Sequence, residues 1–570
     1  MPADCSQTII SNDYRDYIVS YTPALYNALL TVPDICINAV DNEWIIIHYP
    51  TAEDVSVSRQ GYVGIPKLFS LMDTSSIDVS GITQVQNQPV LKLTGSGTII
   101  GFIDTGIDYL NPIFSYTRGL SKIEAIWDQT IISNSFQNPY KYGTIYSNEQ
   151  INQALNAYSN GDDPYEIVPS TDEDGHGTFL AGIAAGRRDA ANDFIGAAPD
   201  ASIVVVKLKP AKQYLRDYFL IREGAVAYQE NDILMGIKFM RDVAAELERP
   251  LVICIGLDTG SGPHMLGTPL TNYVNTLSNS PGIAVVCCMG NEGNARHHFA
   301  GIKMDFSEFE PVELSVGENE PGFTLELWAE RPELFSISIT SPTGEVIPRL
   351  PARDSPDSSI LRFVFEESTV YVDYRVVEWL SGNQLIFMRF VKPTAGIWRI
   401  NVYGLDGTSG VFNMWLPVTE FLTTDVHFVR PSPDTTLTQT ATAPLVISVG
   451  AYDHLNDSLY IRSGRGPTAD GRLKPDITAP GVSVYGPEPG GSYSYRSGTS
   501  IAAAHVAGAA ALIFSWDIRN APFSLLSSVN LKTILIRGAR RSGNVRSYPN
   551  TEWGYGTLSL YDAFEKMRLQ

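Results

Sequence analysis

A parallel β-sheet flanked by helices and interrupted by a β-sandwich, an α/β architecture, is the fold class that the sequence predicts. Three observations lead to it. Short β-branched and apolar runs recur at Thr98–Ile103, Ser202–Lys207, Leu251–Ile255, Ile283–Cys288 and Leu445–Val449, the pattern of strands buried on both faces. Several are separated by segments of helical character such as Asp232–Leu247, and strands alternating with helices indicate a parallel sheet. Between residues 301 and 430 the period falls to two: Phe335, Ile337 and Ile339 alternate with polar neighbours, as do Trp398, Ile400 and Val402. Leu361, Phe363 and Phe365 alternate with Arg362, Val364 and Glu366 in the same stretch, which reads as an inserted sandwich of jelly-roll type.

At 570 residues the chain exceeds the size at which one core keeps growing, so two or three compact units are expected. With 41 Lys and Arg against 62 Asp and Glu, a net charge of −21 argues against nucleic acid and anionic membranes as partners. The first twenty residues lack a basic n-region and an apolar core, so synthesis in the cytoplasm without a signal peptide is expected. The apolar stretch Ile501–Phe514 is too short and too alanine-rich for a membrane span. Five cysteines without C-x-x-C spacing read as buried free thiols. Trp328, Trp379 and Trp415 read as core and packing surface of the sandwich rather than as a carbohydrate groove.

Three motifs carry chemistry. In Gly101–Asp108 (GFIDTGID), Asp104 closes a buried strand, where a carboxylate can orient an imidazole away from bulk water; alone it could equally be a turn-capping aspartate. In Asp174–Thr178 (DGHGT), His176 stands between two glycines directly before the Ala- and Gly-rich helix Phe179–Gly186, which lets backbone or substrate approach the ring. In Ser497–Gly508 (SGTSIAAAHVAG), Ser500 opens a helix of small residues, at its positive end. Singly, Ser500 would pass for an N-cap. Together the three supply the nucleophile, the base and the orienting acid that peptide hydrolysis needs.

On these residues the chain resembles the subtilisin-like serine proteases, whose motifs stand here as Asp104-Thr-Gly, His176-Gly-Thr and Gly498-Thr-Ser500. That triad order is the one known for subtilisin itself. Gly290–Gly293 (GNEG) resembles the family's oxyanion motif, which makes Asn291 the side-chain donor, and Ser463–Gly481 resembles its approach to the serine helix. Ala504 stands where the family usually has proline. Gly256, Leu257 and Asp258, with Gly290 opposite, correspond to the substrate-binding edge; Asp258, Thr259, Cys288 and Met289 depart from the family's usual residues, so specificity is not carried over.

The phrases GIPKL at 64–68, QNQPV at 86–90 and NEGNARHH at 291–298 extend the resemblance to the Csp-type germination proteases of clostridial spores. That resemblance implies an N-terminal α+β prodomain over residues 1–72, a catalytic domain in two parts (73–300 and 431–570) and the jelly roll at 301–430. It implies a self-cut near Ser70–Ser75, a prodomain kept in the cleft, and a protein substrate such as a spore cortex-lytic enzyme proform. A spore-associated site follows from the same likeness. No cofactor is expected, and calcium is left open. Two other readings stand beside this one: a general protein-degrading subtilase, and a regulatory pseudoprotease, which the intact triad disfavours.

Overall fold

The computed structural model describes residues 5–50, 55–69, 79–88, 91–116, 119–132, 138–354, 358–405, 409–520 and 525–568. The QNQPV phrase is described only as far as Gln88, and the expected self-cut at Ser70–Ser75 lies outside these residues.

The N-terminal segment folds β1 (Tyr14–Ser20), β2 (Cys36–Ala39) and β3 (Trp44–Pro50) into an antiparallel sheet with β3 central, and ends in β4 (Leu68–Phe69). Isoleucines 45, 46 and 47 make β3 apolar on both faces, so it needs cover on both sides. Ile46 and Trp44 join Ile18 and Cys36 on the core shared with the main body of the chain, while Ile45 and Ile47 close a small core of the segment's own. Cys5 and Cys36 are joined in a disulfide with Cα atoms 5.5 Å apart, which corrects the reading of five free thiols. Cys254, Cys287 and Cys288 are free and buried.

The main body is built on β5 (Ile99–Asp104), β6 (Ile123–Asp128), β7 (Thr144–Ser147), β8 (Ser202–Lys207), β10 (Leu251–Ile255), β11 (Ile283–Cys288), β23 (Ile447–Asp453), β24 (Ser458–Leu459) and β25 (Ile477–Pro480). Among the described residues these form a nine-stranded sheet in the order β24-β23-β11-β10-β5-β8-β6-β7, with β25 alongside β23. Pairs from β6 to β25 are parallel; β7 and β24 run antiparallel at the edges. The short β9 (Tyr228–Gln229) stands outside this sheet and pairs with β4. Each strand named by composition is present, with the last shifted to start at Ile447.

Helices His176–Ala185 and Thr499–Asn520 cover one face of the sheet, and helix Glu230–Glu246 covers the other. The Thr499–Asn520 helix is apolar all round because it lies in the core: Thr499 through Ser515 are buried, and Leu512, Ile513 and Phe514 each contribute on the order of 1.5–3 kcal/mol. It is long and apolar enough to cross a membrane by length and composition, longer than the 14-residue reading allowed, yet 83% of the qualifying window is packed inside the fold. The helix runs unbroken through Ala504, as expected of a residue that lacks proline's clash.

Between His298 and Phe428 the chain forms two antiparallel sheets around one apolar core that includes Phe323, Phe390, Trp398 and Phe412. One sheet orders β12 (His298–Lys303), β21 (Gly410–Trp415), β14 (Gly322–Ala329), β19 (Gln384–Val391), β18 (Thr369–Arg375) and β17 (Ser359–Arg362). The other orders β16 (Val346–Leu350), β15 (Ser336–Thr340), β20 (Gly396–Tyr403), β13 (Glu310–Val316) and β22 (Val426–Phe428). One expected strand is cut short: β17 ends at Arg362, so Phe363 tucks into the core from a turn while Val364 and Phe365 stand more than 80% exposed. Trp328 and Trp415 are buried, but Trp379 is 56% exposed and leans on Trp44 at 6.2 Å, a contact between the sandwich and the N-terminal segment.

Candidate active site

Asp104, His176 and Ser500, drawn from three separate parts of the chain, meet above the carboxyl ends of the central strands. Asp104 is the last residue of β5 and is 1% exposed. Its Oδ1 accepts from Thr105 N at 2.8 Å and pairs with His176 Nδ1 at 2.7 Å. On the far side of the ring, His176 Nε2 is 3.2 Å from Ser500 Oγ. With the Nδ1 proton donated to Asp104, Nε2 is left to accept from the serine hydroxyl.

The local sequence explains the placing. His176 opens its helix, and Gly175 before it sits at φ 87°, a left-handed turn that glycine takes without strain. Asp172 holds that turn, accepting from Gly175 N at 3.0 Å and from Thr178 N at 2.8 Å. Gly177 is needed for its small size, since a Cβ there would lie 2.2 Å from the Gly106 carbonyl oxygen and 3.2 Å from Asp104 Cβ. The glycine lets the helix press against the loop after β5, so of the two approaches expected, by backbone or by substrate, backbone packing is the one seen at Gly177. Thr105 Oγ1 accepts from Gly177 N at 2.9 Å and completes the brace. Asp172 and Thr105 were not singled out in the sequence, although an aspartate three residues before a Gly-His pair is a capping signal.

Asn291 lies in the loop after β11, 5% exposed. Its Oδ1 accepts from Thr499 N at 3.2 Å and Thr499 Oγ1 at 3.3 Å, and Gly290 N donates to Thr499 Oγ1 at 3.1 Å. These bonds tie the loop to the start of the serine helix and turn the amide nitrogen away from Thr499. Gly256 follows β10, where a Cβ would stand 3.2 Å from Ser500 Cβ and 3.6 Å from His176 Cε1. The Leu257 side chain belongs to the core, which leaves its backbone to line the edge. Asp258 faces Gly290 across the gap and is 3% exposed. Burial, then the charges of Glu292 and Glu420, push its carboxyl up to about 7.

The end of the N-terminal segment enters this region. Leu68 and Phe69 pair antiparallel with Gln229 and Tyr228, and Glu230 N donates to the Lys67 carbonyl at 2.9 Å. Tyr228 lies within the fields of Asp104, Asp174 and Asp172, which together with burial raise its phenol far above the usual range. Among the described residues no group of three His, Cys, Asp or Glu side chains is placed to hold a metal ion.

The sequence model of the subtilase family matches residues 95–313 and 429–556, leaving most of the sandwich, residues 314–428, unmatched between them. The PI-type proteinase of Lactococcus lactis subsp. cremoris is 23% identical over 497 residues, covering 81% of this chain and 25% of that protein. The chain thus spans about a quarter of the length of that relative. The human membrane-bound transcription factor site-1 protease is 36% identical over 126 residues, 21% of this chain and 11% of its own. Among solved structures, the CspB protease of Clostridium perfringens is similar at a TM-score of 0.75 and 32% identity, covering 86% of this chain and 97% of that one.

Proposed function

The chain belongs to the subtilase family of serine proteases, and from that premise we propose that it is an endopeptidase working through an acyl-enzyme, with Asp104, His176 and Ser500 as its triad. The observation that carries the reading is the continuous pair of contacts, 2.7 Å and 3.2 Å, that runs from Asp104 through His176 to Ser500. Ser500 Oγ attacks the substrate carbonyl carbon while its proton passes to His176 Nε2. The C–N bond then breaks, and His176 returns the proton to the leaving amine. Water attacks the acyl ester by the reverse route: its proton goes to His176, and Ser500 Oγ leaves and regains one. Asn291 is the side-chain donor to the oxyanion, since its amide oxygen is held by Thr499. The backbone of Gly256–Asp258 and Gly290 carries the substrate strand.

Residues 1–72 act as a prodomain that the enzyme cuts from itself near Ser70–Ser75 and keeps in the cleft. The pairing of Lys67–Phe69 with Tyr228–Glu230 beside the triad supports this. Residues 301–430 form a jelly roll dividing the catalytic domain at 73–300 and 431–570. With the β17–β18 hairpin and the edge strand β22 set aside, chain order puts strands one, eight, three and six in one sheet and five, four, seven and two in the other, the order expected of that fold. The likeness to the CspB protease supports a spore-associated enzyme that activates a protein proform, such as a cortex-lytic enzyme, by limited cleavage. Wild type and Ser500→Ala, treated with a fluorophosphonate probe and then sequenced from the N-terminus, test the proposal. Labelled, two-fragment wild type beside an unlabelled intact variant is expected; a folded wild type that never labels refutes it.

A further inference from the structure

Resting on the protease reading, we propose that Asp258 selects the residue immediately before the scissile bond, admitting glycine, alanine or serine and rejecting larger side chains. Two short walls flank Ser500. One is Leu257–Gly260, leaving β10 past the serine; the other is Cys288–Gly290, tied to the serine helix through Thr499. A carbonyl carbon attacked by Ser500, with its oxygen toward Asn291, sends its residue's side chain between these walls.

That space is already occupied. Asp258 Oδ2 reaches so far across that a Cβ on Gly290 would lie 2.6 Å from it. Cys288 and Met289 are fully buried and leave no slack on their side. Beyond Asp258, between Thr259, Glu292, His297 and Trp415, only about 20 Å³ remains, room for about one water. A leucine or phenylalanine side chain has nowhere to go. The carboxylates of Asp258 and Glu292 would suit a lysine or arginine by charge, but the volume refuses one. Thr438 hydrogen-bonds the Asp258 carboxyl, whose upward shift leaves it partly protonated near neutrality, able to meet a small hydroxyl as donor or acceptor.

The chain's own cut is a built-in substrate for this rule. Lys67, Leu68 and Phe69 run antiparallel to Glu230, Gln229 and Tyr228 toward the triad, and the next residue in sequence is Ser70. Of Ser70, Leu71, Met72, Asp73, Thr74 and Ser75, the rule admits only the serines, and Ser70 is the first of them.

The test uses the full chain, freshly expressed, with self-cutting followed over time. The large fragment should begin at Leu71, and Ser70→Ala should cut at the same bond. Ser70→Leu and Ser70→Lys should be slowed about a hundredfold, the scale on which pockets discriminate by size. Asp258→Gly should restore Ser70→Leu at least tenfold; Asp258→Ala serves if the glycine variant does not fold. Fluorophosphonate labelling of every variant reports a working serine. A fragment beginning at Met72 or Asp73 overturns the inference alone when wild type labels, as does Ser70→Leu or Ser70→Lys cut at the wild-type rate. Wild type that fails to label overturns it together with the protease reading.

Discussion

Asp16→Asn, made in the Ser500→Ala chain so that the backbone stays intact, should loosen the N-terminal segment from the catalytic body. Asp16 sits on β1 with its side chain at 0% exposure, and its Oδ1 is 2.7 Å from Lys212 Nζ and 2.6 Å from His48 Nδ1. Gln229 Nε2 donates to the other oxygen at 2.8 Å. Burial alone would raise this carboxyl, but the Lys212 and His48 charges and the His48 hydrogen bond hold it well below the usual range. The Lys212 side chain is 2% exposed, and Asp16 is the one carboxylate within 4 Å of it among the described residues. Neutralising Asp16 therefore strands a buried ammonium, which costs about 3–5 kcal/mol. At about 1.4 kcal/mol per tenfold, opening of β1 and β3 becomes more frequent by a factor on the order of 10² to 10³. Native-state amide exchange across Tyr14–Ser20 and Trp44–Pro50 reads that opening directly. Because the folded carboxyl is held low, its contribution is present above about pH 4 and fades as the pH falls further, so the two proteins should converge in acid. Acceleration below about tenfold would refute the reasoning. So would an equal acceleration in a Lys212→Met background, where there is no charge to strand.

Asn291→Ala should lower turnover on a peptide substrate by about a hundred- to a thousandfold with KM little changed, a figure known from subtilisin itself. Gly177→Ala should abolish fluorophosphonate labelling, because the added Cβ at 2.2 Å from the Gly106 oxygen drives the histidine helix off the aspartate loop; normal labelling would show that the brace yields cheaply. The Asp258 carboxyl is pushed up to about 7, against about 3.9 in an unfolded chain, so its stabilising effect is complete below about pH 4 and lost as pH rises through 7. Asp258→Asn should therefore gain in thermal midpoint relative to wild type between pH 5 and 8; a constant difference would contradict the assigned burial.

Five strands of the central sheet were legible because each is a short, largely β-branched and apolar run, which a strand covered on both faces requires; β6, whose IEAIWD mixes in a glutamate, was not. The triad was legible because glycines and small residues bracket each of its members. What stayed hidden is buried polarity. Asp16, Lys67, Lys122 and Lys212 carry no mark of burial in the sequence, yet all four are nearly inaccessible, and the partners of Asp16, Lys122 and Lys212 are distant in sequence: Lys122 Nζ donates to the carbonyls of Ala185 and Pro199. A one-dimensional pattern carries hydrophobic period but no record of which charge meets which. The Cys5–Cys36 pair was missed for the same reason, since their meeting depends on β1, β2 and β3 folding into one sheet. Val364 and Phe365 misled in the opposite sense: alternation continues in letters after the strand has ended at Arg362.

Tyr62 donates to Glu326, Ser58 donates to Asp373, and Arg375 holds the Val57 carbonyl, so the N-terminal segment is gripped by side chains made more than 250 residues later. Ser500 is made later still, after the sandwich that separates it from His176. During synthesis, then, the contacts with Lys212 and Gln229 can close first, these three close only once the sandwich has been made, and Asp104 and His176 stand without Ser500 until the last. The order of the letters thus places every one of these clasping side chains ahead of Ser500 in the growing chain.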